Sequence, residues 1–320
     1  MSRKLLTIGE CMALLASTDV DVPLSQAENF RRFTSGAELN VATGSSRLGL
    51  PVDYITALGT DPNGDFLLDK IRHSGIGTEF ILRNSSFSTG VYFKDKVASG
   101  DPQVLYLRKN SACANLTYEE IVKSCPEFNL SNYSHAHLTG IYPAISDTAS
   151  SVFDQLITAL NAADVYTSFD PNLRPKLWQS QELMIRTTNE AAHRANLVLP
   201  GVAEGQVLVG SEDPEKIADF YLENGRRTEC VVVKLGSRGA YFKTNAQESG
   251  FVDGLKVAQI VSTVGAGDGF AVGMLSGLMS GKTVVQSVQR AVIIGALAVT
   301  SEGDSDGYPT AEQLRQYEVE

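Results

Sequence analysis

Apolar and polar positions follow two alternating rhythms along the chain. Short apolar runs have the length and β-branched content of buried strands, namely KLLTIG, VDYITALG, SHAHLTG, VYTSFD, NLVLP and ECVVVKLG. Between them lie longer segments with helical spacing, among them AELNVATGSSRLG, GDFLLDKIRHSG, TASSVFDQLITALNAAD, QELMIRTTNEAAHRA and DPEKIADFYLENG. Strands and helices in strict turn predict βαβ crossovers and a mostly parallel sheet covered by helices on both faces.

One stretch departs from this alternation. STGVYFKDKVASGDPQVLYLRKNSA contains two β-type runs around Ser99–Pro102, which is the pattern of a hairpin. We expect two segments, at about 14–34 and 88–112, to form a small projecting sheet together. Ligands of open α/β folds bind beyond the carboxyl ends of the strands. The small sheet is therefore expected to form a lid on a single domain spanning residues 1–320.

Composition excludes several classes of protein. The chain has 320 residues, 43% of them hydrophobic, and a net charge of −10, which argues against a nucleic-acid partner. It lacks an uncharged apolar stretch of about 20 residues, so no membrane partner is expected. Glu10 interrupts the apolar run at the N-terminus, which favours a first strand over a signal peptide and predicts a cytoplasmic protein. The four cysteines and four histidines show no metal-binding spacing.

A glycine-rich segment, STVGAGDGFAVG, is the strongest chemical signal. It follows GLKVAQIV, which we predict to be a strand, and precedes FAVGMLSGLMSG, which we predict to be a buried helix. Helix N-termini attract anions and glycine permits close approach, so Gly265, Ala266 and Gly267 are predicted to cradle an anion. Asp268 would repel a stored anion, but it suits a base that takes a proton from a hydroxyl attacking phosphorus. The alternative is a glycine-rich turn with Asp268 as the helix cap.

Four segments carry a family resemblance. TVGAGDGF resembles the C-terminal signature of the ribokinase-like (PfkB) carbohydrate kinases, and SGAELNVATGSSRLG is similar to their N-terminal signature. FDPNLRPKLW is similar to the family's DxNxR segment, and VVKLGSRGAY to its nucleotide-bearing strand and turn. The matches run in family order from residue 5 to residue 310. The resemblance implies a three-layer αβα sandwich with a mostly parallel central sheet and a small projecting β lid.

The resemblance also implies roles for individual residues. It makes Asp268 the catalytic base, and it makes Gly265, Ala266 and Gly267 the anion hole. Sugar hydroxyls are expected at the segment Gly36, Ala37, Glu38, Leu39 and Asn40. The implied cofactors are ATP and Mg2+, with the nucleotide near Asn172, Arg174, Lys234, Gly236, Ser237, Gly239, Gly265 and Gly267. Asp170 is expected to fix its own loop. Plainer interpretations are an ordinary helix residue for Asn40, a surface cation for Arg174 and a hairpin turn for LGSRG.

YLRKNSA bears on the choice of sugar. Tyr106 and Arg108 lie two apart on a predicted strand and so face the same side, and arginine suits two-pronged binding of a carboxylate. With Tyr92, the segment resembles the 2-keto-3-deoxygluconate kinase branch of the family. That resemblance adds Arg174 and Asp304 to the substrate residues and implies phosphorylation of the sugar acid's 6-hydroxyl. A neutral-ketose kinase such as a fructokinase, a non-catalytic sensor, and a solvated edge-strand role for Arg108 are the alternatives.

Two residues depart from the family pattern, and one segment resembles a different motif. Ser262 stands where many relatives have an aspartate tied to monovalent cations, which argues against potassium activation. Gly201 replaces the asparagine of the family's NxxE motif, while Glu204 remains and is expected to organise water around Mg2+. GLMSGKT has one residue too few for a P-loop, so we predict a helix that ends at Gly281 before the next helix. The family resemblance also implies a homo-oligomer, a dimer or larger, paired through the lid sheets.

Overall fold

The structure is a computed structural model that describes residues 4–100, 102–125 and 128–318. The strands in this part of the chain are β1 (Lys4–Ile8), β2 (Met12–Val20), β3 (Phe30–Ser35), β4 (Val52–Gly59), β5 (Ile81–Asn84), β6 (Val91–Lys96), β7 (Val104–Leu107), β8 (Tyr133–Thr139), β9 (Tyr166–Asp170), β10 (Leu197–Val198), β11 (Cys230–Lys234), β12 (Gly239–Thr244) and β13 (Ser249–Asp253). The helices are α1 (Ala37–Arg47), α2 (Pro62–His73), α3 (Tyr118–Ser124), α4 (Asp147–Ala162), α5 (Gln181–Ala192), α6 (Val202–Val209), α7 (Pro214–Asn224), α8 (Ala266–Met279), α9 (Val284–Ala298) and α10 (Ala311–Arg315).

The main sheet has nine strands among the described residues, in the order β13-β12-β11-β10-β9-β8-β1-β4-β5. Every pair from β11 to β5 is parallel, whereas β12 and β13 continue the sheet as an antiparallel edge. Parallel neighbours require crossover connections, and the predicted helices supply them. The predicted mostly parallel sheet is confirmed.

Helices cover both faces of the main sheet. In β1, Leu6 and Ile8 pack into a core with α3, α4 and α7, while the neighbouring Leu5 packs into a second core with α1, α8 and α9. Side chains of successive strand residues point to opposite faces, so a strand that is apolar throughout serves two cores. This arrangement is the three-layer sandwich that the sequence predicted.

The small sheet has the order β3-β2-β6-β7 and stands at the carboxyl edge of the main sheet. Only three residues separate β1 from β2, and β3 leads directly into α1, so the two sheets are joined by short connections. Strands β6 and β7 pair antiparallel with Lys94 opposite Val104, which confirms the predicted hairpin; Asp101 at its tip lies outside the described residues. Met12, Leu14 and Tyr92 form a separate small core here.

One strand prediction is wrong. GLKVAQIV, residues 254–261, contains no strand and runs as irregular chain from the end of β13 to the glycine segment. Its β-branched residues have strand propensity, but this stretch pairs with no strand of the described structure, so the propensity is not realised. Ile260 and Val261 are consequently 63% and 44% exposed.

The end of α8 confirms the interpretation of GLMSGKT. The helix stops at Met279, Gly281 adopts a φ of 79°, and α9 begins after Thr283, whose side chain caps it. A glycine in the left-handed conformation after a helix end lets the last carbonyl groups of the helix form hydrogen bonds without steric cost.

The four cysteines are buried and unpaired. Within the described residues, no helix has both the length and the apolar character needed to cross a membrane.

Candidate active site

A cavity of about 620 Å³ opens where the carboxyl ends of β1, β9 and β11 meet the small sheet. The N-terminal ends of α1 and α8 also reach it. Its size lies within the range of small-molecule sites, and its place is where open α/β sheets bind ligands. Fifteen residues predicted from the sequence line it: Gly36, Ala37, Glu38, Asn40, Tyr92, Tyr106, Arg108, Asn172, Arg174, Glu204, Lys234, Gly265, Gly267, Asp268 and Asp304.

The first turn of α8 presents bare backbone to the cavity. The amide groups of Gly267 and Asp268 have no hydrogen-bond partner among the described residues, whereas Gly269 N donates to Gly265 O at 2.8 Å. Gly265 has a φ of 80°, and a Cβ there would lie 1.8 Å from the carbonyl oxygen of Asp304. A Cβ on Gly267 would meet nothing closer than Lys234 Nζ at 3.7 Å. Two free amides at a helix start form an anion-binding surface.

Asp268 lies beside these amides with its carboxylate held by two asparagines. Asn40 Nδ2 donates to Oδ2 at 2.8 Å, and Asn172 Nδ2 donates to Oδ1 at 3.3 Å. Burial, together with the negative charges of Asp170 and Asp304, raises the pKa of Asp268 to about 7. The carboxylate accepts no backbone amide hydrogen among the described residues, so the helix-cap interpretation is wrong. A carboxylate with this pKa suits proton transfer near neutral pH.

Lys234 brings a cation to the same end of the cavity. Its ammonium donates to Asp170 Oδ2 at 2.6 Å, and Asp170 Oδ1 accepts from the backbone N of Asn172 at 3.1 Å. Burial alone would lower the pKa of Lys234, but the carboxylates of Asp170 and Glu204 raise it, so the side chain stays charged. Asp170 fixes the loop after β9, as the sequence predicted, and it orients Lys234 as well.

Glu204 is committed to the backbone. Its Oε2 accepts from Gly201 N at 2.7 Å, and its Oε1 accepts from Leu173 N at 2.9 Å. No group of three or more His, Cys, Asp or Glu residues that could hold a metal ion occurs in the part of the chain described. A direct protein-only magnesium site therefore does not fit. An ion held mainly by a ligand's phosphates, with Glu204 acting through water, fits the donors present.

The small-sheet end of the cavity carries an arginine. Arg108 follows the last residue of β7, and its guanidinium forms an ion pair with Glu10. Its side chain is only 11% exposed, so the solvated edge-strand interpretation is wrong. The rings of Tyr92 and Tyr106 stack with centroids 5.0 Å apart beside it.

A hydrogen-bond chain crosses from the small sheet to the end of the cavity near α8. Tyr92 Oη donates to Ser35 Oγ at 3.0 Å, and Ser35 Oγ donates to Asp304 Oδ2 at 2.8 Å. Burial raises the pKa of Asp304, and the Ser35 hydrogen bond opposes that rise. The chain leaves Asp304 Oδ1 as a hydrogen-bond acceptor at the cavity.

The start of α1 is divided between cavity and core. Glu38 is buried at the cavity wall, where Thr139 Oγ1 donates to its Oε1 at 2.5 Å, and burial raises its pKa to about 7. Leu39, predicted to contact sugar, instead packs in the core beneath α8. One residue along the helix turns the side chain by about 100° around the axis, which takes Leu39 away from the cavity that Asn40 faces.

The predicted nucleotide turn lies outside this cavity. Gly236 and Ser237 are exposed beyond β11, and Gly239 is buried in the β11–β12 hairpin, where a Cβ would lie 2.0 Å from Val252 O. Ala266, the first residue of α8, also does not line the cavity, because its side chain packs against the core. Arg174 is exposed at the cavity wall and donates to Leu173 O at 3.1 Å.

Sequence reasoning missed Glu10, Ser35 and Thr139. Each follows or ends a strand at the side of the sheet where ligands bind: Glu10 stands two residues after β1, and Thr139 is the last residue of β8. Polar residues at the carboxyl ends of predicted parallel strands are the signal that would have identified Glu10 and Thr139.

Comparison with solved structures places the fold in a known class. A PfkB protein from Polaromonas sp. JS666 is 42% identical, with a TM-score of 0.88 and coverage of 98% of this chain and 99% of that one. A putative Ribokinase II from E. coli, in complex with ATP and Mg2+, is 25% identical, with a TM-score of 0.88 and 99% coverage of both chains. The fold is therefore ribokinase-like.

Sequence comparison gives the family. The profile described as pfkB family carbohydrate kinase matches residues 2–311. The 2-dehydro-3-deoxygluconokinase of Bacillus subtilis (strain 168) is 41% identical over 312 residues, which are 97% of this chain and 94% of that protein. This chain belongs to the pfkB family of carbohydrate kinases.

Proposed function

We propose that this protein is an ATP-dependent kinase of 2-keto-3-deoxygluconate, the sugar acid also called 2-dehydro-3-deoxygluconate. The reaction transfers the γ-phosphoryl group to the 6-hydroxyl and gives 2-keto-3-deoxy-6-phosphogluconate. The observation that carries the proposal is one cavity holding a buried carboxylate beside free helix amides at one end and an arginine with an 11% exposed side chain at the other. The name of the B. subtilis relative supports the same substrate.

Asp268 acts as the general base. Its carboxylate takes the proton of the 6-hydroxyl while that oxygen bonds to the γ-phosphorus and the bond from phosphorus to the ADP oxygen breaks. Asn40 and Asn172 hold the two carboxylate oxygens, so the base needs no reorientation when the substrate arrives. The free amides of Gly267 and Asp268 stabilise the negative charge on the phosphoryl oxygens.

Cations at the same end hold the nucleotide. Lys234 and Arg174 face its phosphates, and Gly236, Ser237 and Gly239 carry the rest of the nucleotide beyond the cavity. The ATP and Mg2+ bound by the E. coli neighbour support these cofactors. Mg2+ would be held by the nucleotide phosphates with Glu204 acting through water, and when bound it neutralises phosphate charge.

The other end selects the acid. Arg108 binds the carboxylate of the sugar acid, and Tyr92 and Tyr106 pack against its carbon chain. Asp304 and Asn40 form hydrogen bonds with its hydroxyl groups. A neutral hexose has no group for a buried guanidinium, whereas a planar carboxylate matches it. The small sheet acts as a lid that closes over the acid.

The test is a side-by-side phosphorylation assay with purified protein. ADP release is measured with 2-keto-3-deoxygluconate, 2-keto-3-deoxygalactonate, fructose and no sugar. We expect the highest kcat/KM for one or both sugar acids. We also expect Arg108→Leu to lower it by about 10- to 100-fold, since a charged hydrogen-bond partner is lost. Lys109→Leu, an exposed cation next in the chain that does not line the cavity, is the matched control.

Other results contradict the proposal. Faster turnover of fructose, with Arg108→Leu harmless, would establish a neutral-ketose kinase instead. Absence of any sugar-dependent ADP release would leave a non-catalytic sensor.

The proposal includes a homo-oligomer in the cytoplasm, where ATP is available. Edge strand β7 exposes Val104, Leu105 and Leu107 by 46%, 51% and 56%, and such an apolar edge is suited to pairing. Sedimentation of wild type and Leu105→Glu tests it: we expect a dimer or larger assembly that dissociates in the variant. A monomeric wild type would contradict it.

A further inference from the structure

Glu10 occupies the joint between the two sheets. Strand β1 of the main sheet ends at Ile8 and β2 of the small sheet begins at Met12, so Glu10 lies in a three-residue connection. Its side chain is 1% exposed, yet it lines the cavity. A buried carboxylate in a short joint is costly unless paired, so its partners matter.

Both partners come from the far end of the small sheet. Oε2 forms an ion pair with Nη2 of Arg108, and Oε1 accepts from the hydroxyl of Ser111. Arg108 follows the last strand of the small sheet, and Ser111 begins the return to the main core, which it reaches at Ala112. The carboxylate therefore ties the entry of the small sheet to its exit.

The surrounding backbone leaves room for this carboxylate. A Cβ added to Gly90, just before β6, would lie 2.6 Å from Glu10 Oε1. The three segments that meet at Glu10 are the joint, the start of β6 and the chain after β7. Their close approach fixes where the carboxylate sits, and hence where the arginine must sit.

The arginine retains donors beyond its ion pair with Glu10, whose Oε2 makes that ion pair but has no hydrogen-bond partner among the described residues. Among the described residues, Glu10 is the one acidic partner of Arg108, and the buried Nε of Arg108 has no hydrogen-bond partner. A guanidinium has five N–H groups in a planar fork, so one carboxylate at Nη2 leaves other donors for a second acceptor.

We propose that Glu10 is a positioning residue for recognition of the substrate's carboxylate. It holds one part of the Arg108 guanidinium so that the remaining donors face the cavity in a fixed orientation. It also makes acid binding depend on the seating of the small sheet, because the same carboxylate joins that sheet's two ends. This inference rests on the proposed sugar-acid kinase function.

The test uses Glu10→Gln, which keeps the shape and removes the charge. With 2-keto-3-deoxygluconate, KM should rise about tenfold or more while kcat and the KM for ATP stay within about twofold, since the chemistry lies at the other end. Ser111→Ala loosens the other anchor without changing any charge and should raise the same KM a few-fold. Glu312→Gln, on exposed α10, is the control.

A double-variant cycle separates positioning from general damage. Glu10→Gln in an Arg108→Leu background should leave KM for the acid unchanged, since Glu10 has nothing left to position. Arg108→Leu alone should lower the melting temperature by leaving a buried charge unpaired, and adding Glu10→Gln should restore part of the loss.

Two outcomes overturn the inference. If Glu10→Gln lowers KM for the acid, the carboxylate competes with substrate for Arg108. If neither Glu10→Gln nor Ser111→Ala changes KM although Arg108→Leu raises it, the guanidinium needs no positioning. A wild type that rejects sugar acids overturns the proposed function together with this inference, and that failure is visible before any variant is made.

Discussion

The two ends of the cavity are built differently. The end of the cavity at which we propose phosphoryl transfer is the first turn of α8, a helix buried along most of its length and packed against α1 and α9. The end at which we propose that Arg108 binds the substrate's carboxylate is assembled from the small sheet, whose last strand β7 is exposed at every residue. One end offers the backbone amides of a helix start beside the buried carboxylate of Asp268, and the other offers side chains from the small sheet and its connections.

This difference separates chemistry from selection. Phosphoryl transfer needs donors fixed in place before the reaction, and a buried helix start supplies them. Admission of a sugar needs a wall that can open, and a sheet with its own small core of three residues suits that task. Substitutions at the two ends should therefore affect different kinetic constants.

The largest effect is expected at Asp268. Asp268→Asn should lower kcat by about 10²- to 10⁴-fold, because the base is lost while the amide oxygen still accepts a hydrogen bond from one of the two asparagine partners. Sugar-dependent ADP release by purified protein measures the loss.

The same substitution should also change the pH dependence of stability. The folded pKa of Asp268, about 7, lies above the unfolded value of 3.8, so the carboxylate destabilises the fold as pH rises through this window. Asn should therefore raise the melting temperature more at pH 8 than at pH 4. Activity within tenfold of wild type would remove Asp268 as the base.

Gly267→Ala tests the bare backbone of the same turn. The added methyl has space in the empty cavity and favours helix, so the melting temperature should rise slightly. It would nevertheless intrude where the phosphoryl group lies, and kcat should fall about 10- to 100-fold. Thermal melts and steady-state kinetics together decide it. A variant that is both more stable and fully active would show that no phosphate approaches Gly267.

The pH dependence of the reaction is expected to change with the charge of the carboxylates near α8, with little effect on the maximal rate. Asp268 and Glu38 both have a pKa of about 7, each mainly because of burial. The base must be ionised, so kcat/KM for the sugar should rise with pH and reach half its maximum near pH 7. Because the two carboxylates interact, the apparent value belongs to the pair, and Glu38→Gln should shift it downward. A profile flat from pH 5.5 to 8.5 would contradict the assignment.

The smallest effect is expected at Tyr92. Tyr92→Phe removes the hydrogen bond to Ser35 but keeps the ring stacked on Tyr106. KM for the sugar acid should rise about two- to fivefold at constant kcat, since one neutral hydrogen bond is lost at the selecting end. Saturation curves for the sugar at fixed ATP measure it. A fall in kcat instead would mean that the small-sheet end of the cavity also affects the rate of phosphoryl transfer.

Sequence alone determined the elements whose signal is local. Period-two and helical spacing predicted the alternation of strands and helices, and the glycine segment predicted the start of α8. The same reasoning failed at residues 254–261, where β-branched residues indicate a strand but the described structure gives the stretch no pairing partner. Propensity is read along the chain, whereas strand pairing requires a free neighbour in space.

Which side chains meet depends on how the whole chain packs. Asn40 and Asp268 are 228 positions apart, and Ser35 and Asp304 are 269 apart, yet each pair shares a hydrogen bond. The Glu10–Arg108 pair likewise depends on how the small sheet leaves and rejoins the main one. A periodic pattern tells which face of an element is buried; the order of strands in the sheet, set by packing of the whole chain, brings distant polar residues to one cavity.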